Sequence, residues 1–358
     1  MRVYGCTING PINLVDNARI GGSINGATIQ SVISGSYQLE VWGNAGSFVL
    51  NMGPTNGMPQ AYASTLITSG SISAVNSNAI SSGPLTLDVA GDMRLNGNNI
   101  TVASLSSVNS GQVTSDTGPT VQNRNSTIPA TLFVGADNSS SEFDGTFLDG
   151  GGAPLGLTKT GSGTLTLTGI NTNTGPVTVM GGSIALVSSG SFNDASAIII
   201  GSGASYDVSG AGGTLTLNVG QTLKGNGTLT GALVASSGSI VSPGFPMGTL
   251  TISGNATING SYRLNLDRTN ASNCSQLTAS GSLVFSGAAL IVTNVGPKLQ
   301  AGDTFQLFAS GTSGFANIAL PTNDIPNTAV YTWNNTVSTE GKITVASVSA
   351  LVNATPTN

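Results

Sequence analysis

A short alternation of threonine with an aliphatic residue recurs along the chain and restricts its fold more than any other feature. It reads TLTL at 164–167, TLTL again at 214–217 and TLTI at 249–252. Because successive side chains of a strand point to opposite faces, Leu165 and Leu167 are predicted to enter a core while the flanking threonines face outward. Each run is therefore predicted to be a β-strand with one buried face.

Further short strands are predicted between these runs, at 177–179, 183–186, 197–200 and 229–234, each closed by Gly, Asn, Ser or Pro. Strands this short fit either a sandwich or a solenoid. The repetition favours the solenoid, in which like residues stack on like. The three runs are spaced by about 50 and then 35 residues, which we interpret as coils with loops of different length.

The composition agrees with stacked coils. Charged residues make up only 7% of the 358 residues, against roughly 25% in ordinary globular proteins, whereas glycine contributes 50 residues. In a parallel β-helix each coil hydrogen-bonds to the coils above and below, about 4.8 Å away, so equal residues form ladders. Asn, Ser and Thr can bond along such ladders, but stacked like charges repel each other. Glycines supply the positive φ that sharp corners need.

Four segments resemble one protein family. LTKTGSGTLTLTGINTNTGPVTVMGGSIAL, from Leu157 to Leu186, looks like the passenger-associated transport repeat of autotransporters, with its LTKTG, its TLTLTG, its Asn/Thr corner and its VxxGG step. The segments at 83–106, 223–266 and 301–321 are similar to the preceding unit, the final repeats and the closing segment of such passengers. Together the matches extend from about Ser71 to Pro321.

This resemblance implies an all-β fold, a right-handed parallel β-helix exported to the cell surface or beyond. Residues 71–300 are predicted to form the helix repeats, 1–70 a less regular N-terminal β region or cap, and 301–358 a C-terminal β cap and tail. The start MRVYGCTING lacks the apolar run of a signal peptide, and the end LVNATPTN is polar. We therefore expect a mature form, either a cleaved passenger or a secreted relative with another export route.

Several classes of function are not expected. The chain has no histidine, which most nucleophilic triads and many metal sites need. Its ten Lys and Arg residues against a net charge of -5 leave no basic stripe for nucleic acid. No apolar stretch approaches the roughly 20 residues that span a bilayer. We predict no enzyme, no catalytic or metal site and no cofactor.

The carboxylates are the residues that would contradict this prediction. Asp88 and Asp92 lie four residues apart and could point to one face, but we interpret them as turn or cap residues. Glu142, Asp144 and Asp149 lie in SEFDGTFLDGGG and are interpreted as loop carboxylates, with calcium binding as the alternative. Neither group has the density of acids that a polysaccharide hydrolase or lyase needs.

The remaining candidates for a functional role are Lys159, the two cysteines and six aromatic residues. Lys159 of LTKTG is predicted to be an exposed or edge-stacked strand residue. Cys6 and Cys274 are expected to be buried or free thiols, with a pairing left open. Six aromatic residues are expected to cap coils rather than form a platform for sugars; they are Tyr37, Trp42, Tyr206, Tyr262, Tyr331 and Trp333.

The predicted function is that of a non-enzymatic extracellular structural or adhesive module. A dozen or more coils would make a rod about 60 to 80 Å long at 4.8 Å per coil, and its open edges could join copies into a filament. Its partners would be copies of itself or a cell-surface or glycan ligand. The alternative is a carbohydrate-binding or carbohydrate-cleaving β-helix, including a tailspike-like one; a trimeric virion fibre is a third. Two acids within about 10 Å in a groove, or three exposed aromatics, would favour the carbohydrate alternative.

Overall fold

The computed structural model describes residues 1–44, 46–108, 118–244, 246–324 and 328–351. The chain divides into two compact units. Unit 1 comprises Met1–Ile198 and Ala204–Gly212, and unit 2 comprises Ile199–Gly203 and Gly213–Asn358. Parallel strands dominate both units, which together contain about 13 turns of β-solenoid in the described residues. The predicted parallel β-helix fold is confirmed.

The first 22 strands lie before residue 201. Most have two to five residues, as expected from the short alternating runs. In chain order they are β1 (Thr7–Ile8), β2 (Ile12–Asn13), β3 (Ala18–Gly22), β4 (Ala27–Ile29), β5 (Ile33–Ser34), β6 (Gln38–Gly43), β7 (Val49–Met52), β8 (Ser64–Ala74), β9 (Leu85–Arg94), β10 (Ile100–Val102), β11 (Leu105–Val108), β12 (Thr120–Gln122), β13 (Ala130–Val134), β14 (Ser141–Phe143), β15 (Thr146–Leu148), β16 (Leu155–Lys159), β17 (Thr164–Leu167), β18 (Ile170–Asn171), β19 (Val177–Val179), β20 (Ser183–Val187), β21 (Ser191–Phe192) and β22 (Ala197–Ile200).

The remaining elements follow residue 204 and include one short helix, α1 (Val337–Glu340). The strands are β23 (Ser205–Gly210), β24 (Thr214–Leu217), β25 (Thr222–Gly225), β26 (Thr228–Thr230), β27 (Ala232–Ala235), β28 (Ile240–Pro243), β29 (Thr249–Ile252), β30 (Ala256–Ile258), β31 (Ser261–Leu266), β32 (Gln276–Ala279), β33 (Leu283–Phe285), β34 (Ala288–Asn294), β35 (Thr304–Gln306), β36 (Phe315–Ala319), β37 (Ala329–Thr336) and β38 (Lys342–Ala350).

Within unit 1, most strands pair in parallel with the strand one turn later in the chain. One sheet runs β1-β4-β7-β8-β9-β12-β15, a second contains β10-β13-β16-β19, and a third contains β14-β17-β20-β23. The first seventy residues take part in this pairing, since Thr7 aligns with Thr28 and Val49 with Ser71. The division of the chain at residues 70 and 300 stays a prediction.

Unit 2 begins with the same parallel pairing of strands and ends with an antiparallel sheet. Its parallel sheets contain β25-β28-β31-β34-β36, β26-β29-β32 and β24-β27-β30-β33. Strands β35, β38 and β37 form an antiparallel sheet in the region where the sequence places the closing cap. Strands β32 and β33 end their sheets within the described part of the chain.

The alternation of threonine and leucine has the predicted orientation in β17. Leu165 and Leu167 are buried, with 0% and 1% of their surface exposed, while the threonines around them are half-buried. In β29, Leu250 and Ile252 are likewise fully buried. Alternate residues of successive turns therefore fill one continuous aliphatic interior within each unit.

Two details of the sequence prediction are wrong. The run at 214–217 lies in the sheet of β24, not in the sheet that contains β17 and β29, so the spacings of about 50 and 35 residues do not measure single turns, although the turns do differ in length as predicted. Aligned residues on successive turns are 19 apart in β17 and β20 and 27 apart in β29 and β32. The predicted strand 229–234 is two strands, because Gly231 adopts a φ of 130° and turns the chain between two sheets.

The glycine of LTKTG has a specific steric role. Gly161 has a φ of 66°, a conformation that side chains disfavour, and a Cβ there would collide with the carbonyl oxygen of Gly135 on the preceding turn. The corner after β16 therefore requires glycine both for its backbone conformation and for its close approach to the preceding turn.

Candidate functional site

The Asn/Thr corner at 171–175 connects three turns of unit 1 through one buried side chain. Asn171 is 1% exposed. Its Oδ1 accepts the N–H of Phe147 at 2.9 Å, and its Nδ2 donates to the carbonyls of Gly169 at 3.1 Å and Ser191 at 2.9 Å. Phe147 lies one turn before Asn171 and Ser191 one turn after it, so this amide joins main-chain groups of three successive turns.

A second pair of side chains fixes the other half of the corner. The Nδ2 of Asn173 donates to the carbonyl of Leu155 at 2.8 Å. Asp149 accepts the N–H of Leu155 at 2.8 Å and both the N–H and the hydroxyl of Thr174, at 3.1 and 2.7 Å. The chemistry of this corner is structural, since the bonds of Asn173 to Leu155 and of Asp149 to Thr174 hold one turn against the next.

The three acids of SEFDGTFLDGGG do not converge. Glu142 points outward from β14, and Asp144 is exposed just after that strand. Asp149 is committed to the corner just described. In the described ranges no group of three His, Cys, Asp or Glu side chains is placed to hold a metal ion.

Asp88 and Asp92 both lie inside strand β9, so the interpretation as turn or cap residues is wrong. Asp88 is 2% exposed, and its Oδ1 accepts the N–H of Val89 at 2.8 Å. Asp92 is half-buried. The long strand was missed because the Ala90-Gly91 step between the two acids resembles a turn signal.

The carboxylate of Asp92 has four hydrogen-bond donors. Oδ2 accepts from the hydroxyl of Ser71 at 2.9 Å and from the Nε of Arg94 at 2.5 Å. Oδ1 accepts from the hydroxyl of Thr120 at 2.9 Å and from the Nε2 of Gln122 at 2.7 Å. Because a carboxylate offers about four acceptor directions, Asp92 has none left for a substrate proton or an attacking water.

Asp92 and Arg94 lie in a groove of unit 1 with a volume of about 530 Å³. Arg124, which is exposed, lies in the same groove. Threonine hydroxyls, one amide and two aliphatic side chains complete most of the lining: Thr120, Gln122, Thr146, Leu148, Ile170 and Thr172. This is the site in unit 1 where cationic and hydroxyl side chains line a concave surface.

Lys159 is buried, with 1% exposed, so the prediction of an exposed or edge-stacked residue is wrong. Its Nζ donates to the carbonyls of Thr160 at 2.5 Å and Gly161 at 3.2 Å. Burial lowers the pKa of this ammonium, while the carboxylate of Asp137 acts in the opposite direction. The period of two was the available signal, because Leu157 and Lys159 occupy inward positions of the same strand.

The six aromatic residues do not form a platform for sugars. Tyr206 and Tyr262 are fully buried, and burial raises the pKa of each phenol. Tyr331 is also buried, and Trp333 donates its Nε1–H to the carbonyl of Pro321. Tyr37 and Trp42 are the two exposed members, at 40% and 38%; the guanidinium of Arg19 lies 6.0 Å from the centre of the Trp42 ring.

Both cysteines are free thiols. Cys6 is exposed. Cys274 is buried, its Sγ lies 3.1 Å from the carbonyl oxygen of Gln306, and burial raises its pKa to about 11. The open question of a pairing is therefore answered for this structure by two unpaired side chains.

The fold and these corners define a class of protein, a parallel β-solenoid that carries a transport repeat. The family model of the passenger-associated transport repeat matches residues 157–186, which form β16 to β19 and most of β20. The chain is also 27% identical, over 383 aligned positions and 97% of its length, to the adhesin BmaC autotransporter of Brucella suis biovar 1 (strain 1330). It spans 11% of that relative's length. The resemblance to an autotransporter passenger with such repeats is confirmed.

Among the described residues, no helix has the length and hydropathy needed to cross a bilayer.

Proposed function

We propose that this chain is a segment of an exported, non-enzymatic passenger with a structural or adhesive role at the cell surface. The observation that carries the proposal is the transport repeat itself, whose residues form successive turns of the solenoid from β16 to β20. The similarity to an autotransporter adhesin along nearly the whole chain supports the same role. The function would then come from the stacked turns and the surface they present.

The state of the polar residues supports a role without catalysis. Asp92, the acid that lines the groove of unit 1, is held by four donors, whereas a general acid or base needs a free position for the proton it transfers. Asn171, Asn173 and Asp149 are bound to main-chain groups of neighbouring turns. These side chains stabilise the coils.

Antibody labelling of cells that produce the chain tests the exported location. We expect the same labelling of intact and permeabilised cells. Labelling that requires permeabilisation would contradict the proposal.

Incubation of the purified chain with a panel of polysaccharides, followed by an assay for new reducing ends and unsaturated products, tests the absence of catalysis. Turnover of any of these polysaccharides would refute the non-enzymatic role.

Self-association is the finer part of the proposal. Strands β32 and β33 end two sheets of unit 2, and β1 pairs with β4 alone in the described residues of its sheet. Edge strands present main-chain donors and acceptors that a second copy can pair with. Electron microscopy of the purified chain over a range of concentrations should show end-to-end association, and single particles at every concentration would exclude it.

Carbohydrate binding is the second candidate, and the groove around Arg94 and Arg124 favours it. Hydroxyl, amide and guanidinium groups on a concave surface are donors suited to sugar oxygens. A carbohydrate-binding role is compatible with adhesion, because a surface glycan would then be the ligand. Cleavage, as in a tailspike-like enzyme, is tested by the same assay for reducing ends.

A further inference from the structure

Two guanidinium groups in the groove of unit 1 have donors that no group among the described residues accepts from. Arg94 donates its Nε–H to Asp92, and its two terminal nitrogens make no hydrogen bond within the described part of the chain. Arg124 is exposed and likewise has no ion pair or hydrogen bond among those residues. With only ten Lys and Arg in a chain of net charge -5, two unsatisfied arginines in one groove form a distinct cationic surface.

The groove runs across the strands, from one turn to the next. Asp92, Thr120 and Thr146 are aligned on β9, β12 and β15, and Arg94, Gln122 and Leu148 are aligned beside them. Adjacent strands are about 4.8 Å apart, so these rows present a similar set of polar groups at regular steps.

The next turn extends the groove. The N–H of Thr172 donates to the carbonyl of Phe147 at 3.0 Å, which places Thr172 and Ile170 beyond Leu148 and Thr146. Ile170 is 58% exposed. The groove therefore continues over four strands and offers exposed apolar surface as well as hydroxyl groups. An extended chain of small polar units matches this shape better than a single compact ion.

Asp92 positions the neighbouring side chains of the site. It does not bind the ligand itself, because it is an anion and its acceptor positions are already used. Its four hydrogen bonds fix the side chains of Arg94 and Gln122. A guanidinium held at Nε keeps its terminal nitrogens as a fork for a carboxylate or another planar anion. The positive charge of Arg94 is balanced by Asp92 and that of Arg124 is not, so the described lining of the groove has a net positive charge.

We propose that this groove binds an acidic polysaccharide, a chain of uronic acid sugars whose carboxylates contact Arg94 and Arg124. Thr146 and Thr172 would contact the sugar hydroxyls, and Ile170 would pack against the apolar faces of the rings. This ligand class deepens the proposed adhesive function and rests on it. The purified chain binds the polysaccharide whether or not the chain is found on the cell surface, so the two proposals can fail separately.

Isothermal titration of the purified full chain with an oligogalacturonate tests the assignment. Arg124→Gln should weaken binding about tenfold or more, which corresponds to ~1.4 kcal/mol, and should leave the thermal unfolding temperature unchanged because Arg124 has no described partner. Arg263→Gln is the matched control, since Arg263 is exposed on β31 of unit 2; it should bind like the unchanged chain. Arg94→Gln should also abolish most binding, and circular dichroism shows whether that variant folds.

Four results would overturn the proposal. They are the absence of binding by the unchanged chain, equal effects of Arg124→Gln and Arg263→Gln, equal affinity for a neutral oligosaccharide of the same length, and equal affinity for poly-glutamate, which would assign the groove to acidic peptides. Tighter binding of a sulfated oligosaccharide without uronic acids would refute the carboxylate assignment. Binding of oligogalacturonate that is lost in Arg124→Gln and weakened by salt supports the proposal.

Discussion

Replacing Asn171 by alanine should destabilise unit 1 by about 3 kcal/mol. The substitution removes three hydrogen bonds, to Phe147, Gly169 and Ser191. Phe147 is fully buried, so its N–H would lose its partner without gaining water, at about 1–3 kcal/mol. The two carbonyls are partly buried and add a smaller cost, since each net hydrogen bond contributes about 1 kcal/mol.

Urea unfolding followed by far-ultraviolet circular dichroism measures this loss. Thr172→Ala is the control, because Thr172 is exposed in the same corner. The midpoint for Asn171→Ala should fall well below that of the unchanged chain, and the midpoint for Thr172→Ala should stay close to it. If Asn171→Ala unfolds at the same urea concentration as Thr172→Ala, the three-turn connection is not a source of stability and the reasoning is refuted.

Three further outcomes follow from buried polar groups. Lys159→Met should lower the free energy of unfolding by about 1–3 kcal/mol, because two corner carbonyls lose a charged donor; an unchanged urea midpoint would contradict this. Tyr206→Phe should stabilise the chain by about 1 kcal/mol, since this buried hydroxyl has no partner among the described residues, whereas Tyr62→Phe should destabilise it by losing the bond to Thr65. Burial raises the pKa of Cys274 from 9.0 to about 11 and that of Tyr62 from 10.0 to about 12. The unfolded chain therefore loses these protons first, so the unfolding temperature should decrease between pH 9 and 12. Cys274→Ala should reduce the early part of that decrease, and an unfolding temperature that rises over this range would exclude the mechanism.

The sequence predicts the architecture because the period of two and the corner glycines are local signals. Leu165 and Leu167 are buried as predicted, and strands β19 and β22 have the predicted bounds. Each of these features depends on neighbouring residues only. The parallel stacking follows from repetition, since similar units placed side by side can form main-chain hydrogen bonds with each other.

The remaining details depend on residues a full turn away. The buried ammonium of Lys159 donates to the nearby carbonyls of Thr160 and Gly161, but the carboxylate of Asp137 that also acts on it lies a turn earlier. The groove around Arg94 and Arg124 arises because residues 26 to 30 positions apart become neighbours only once the register is set. The hydrogen bonds by which Asn171 joins three turns likewise cannot be predicted before those turns are aligned.

Disulfide trapping tests the parallel register of successive turns most directly. Thr166 on β17 is aligned with Ala185 on β20, and Ser183 is two positions out of register on the same face. Adjacent strands lie about 4.8 Å apart, within the range of Cα separations that a disulfide spans, whereas a diagonal pair is about 7–8 Å apart. In a Cys6→Ser background, Thr166→Cys with Ala185→Cys should oxidise to an intramolecular bond, and Thr166→Cys with Ser183→Cys should stay reduced. Equal trapping of both pairs, or trapping of the second pair alone, would contradict the stacked parallel coils.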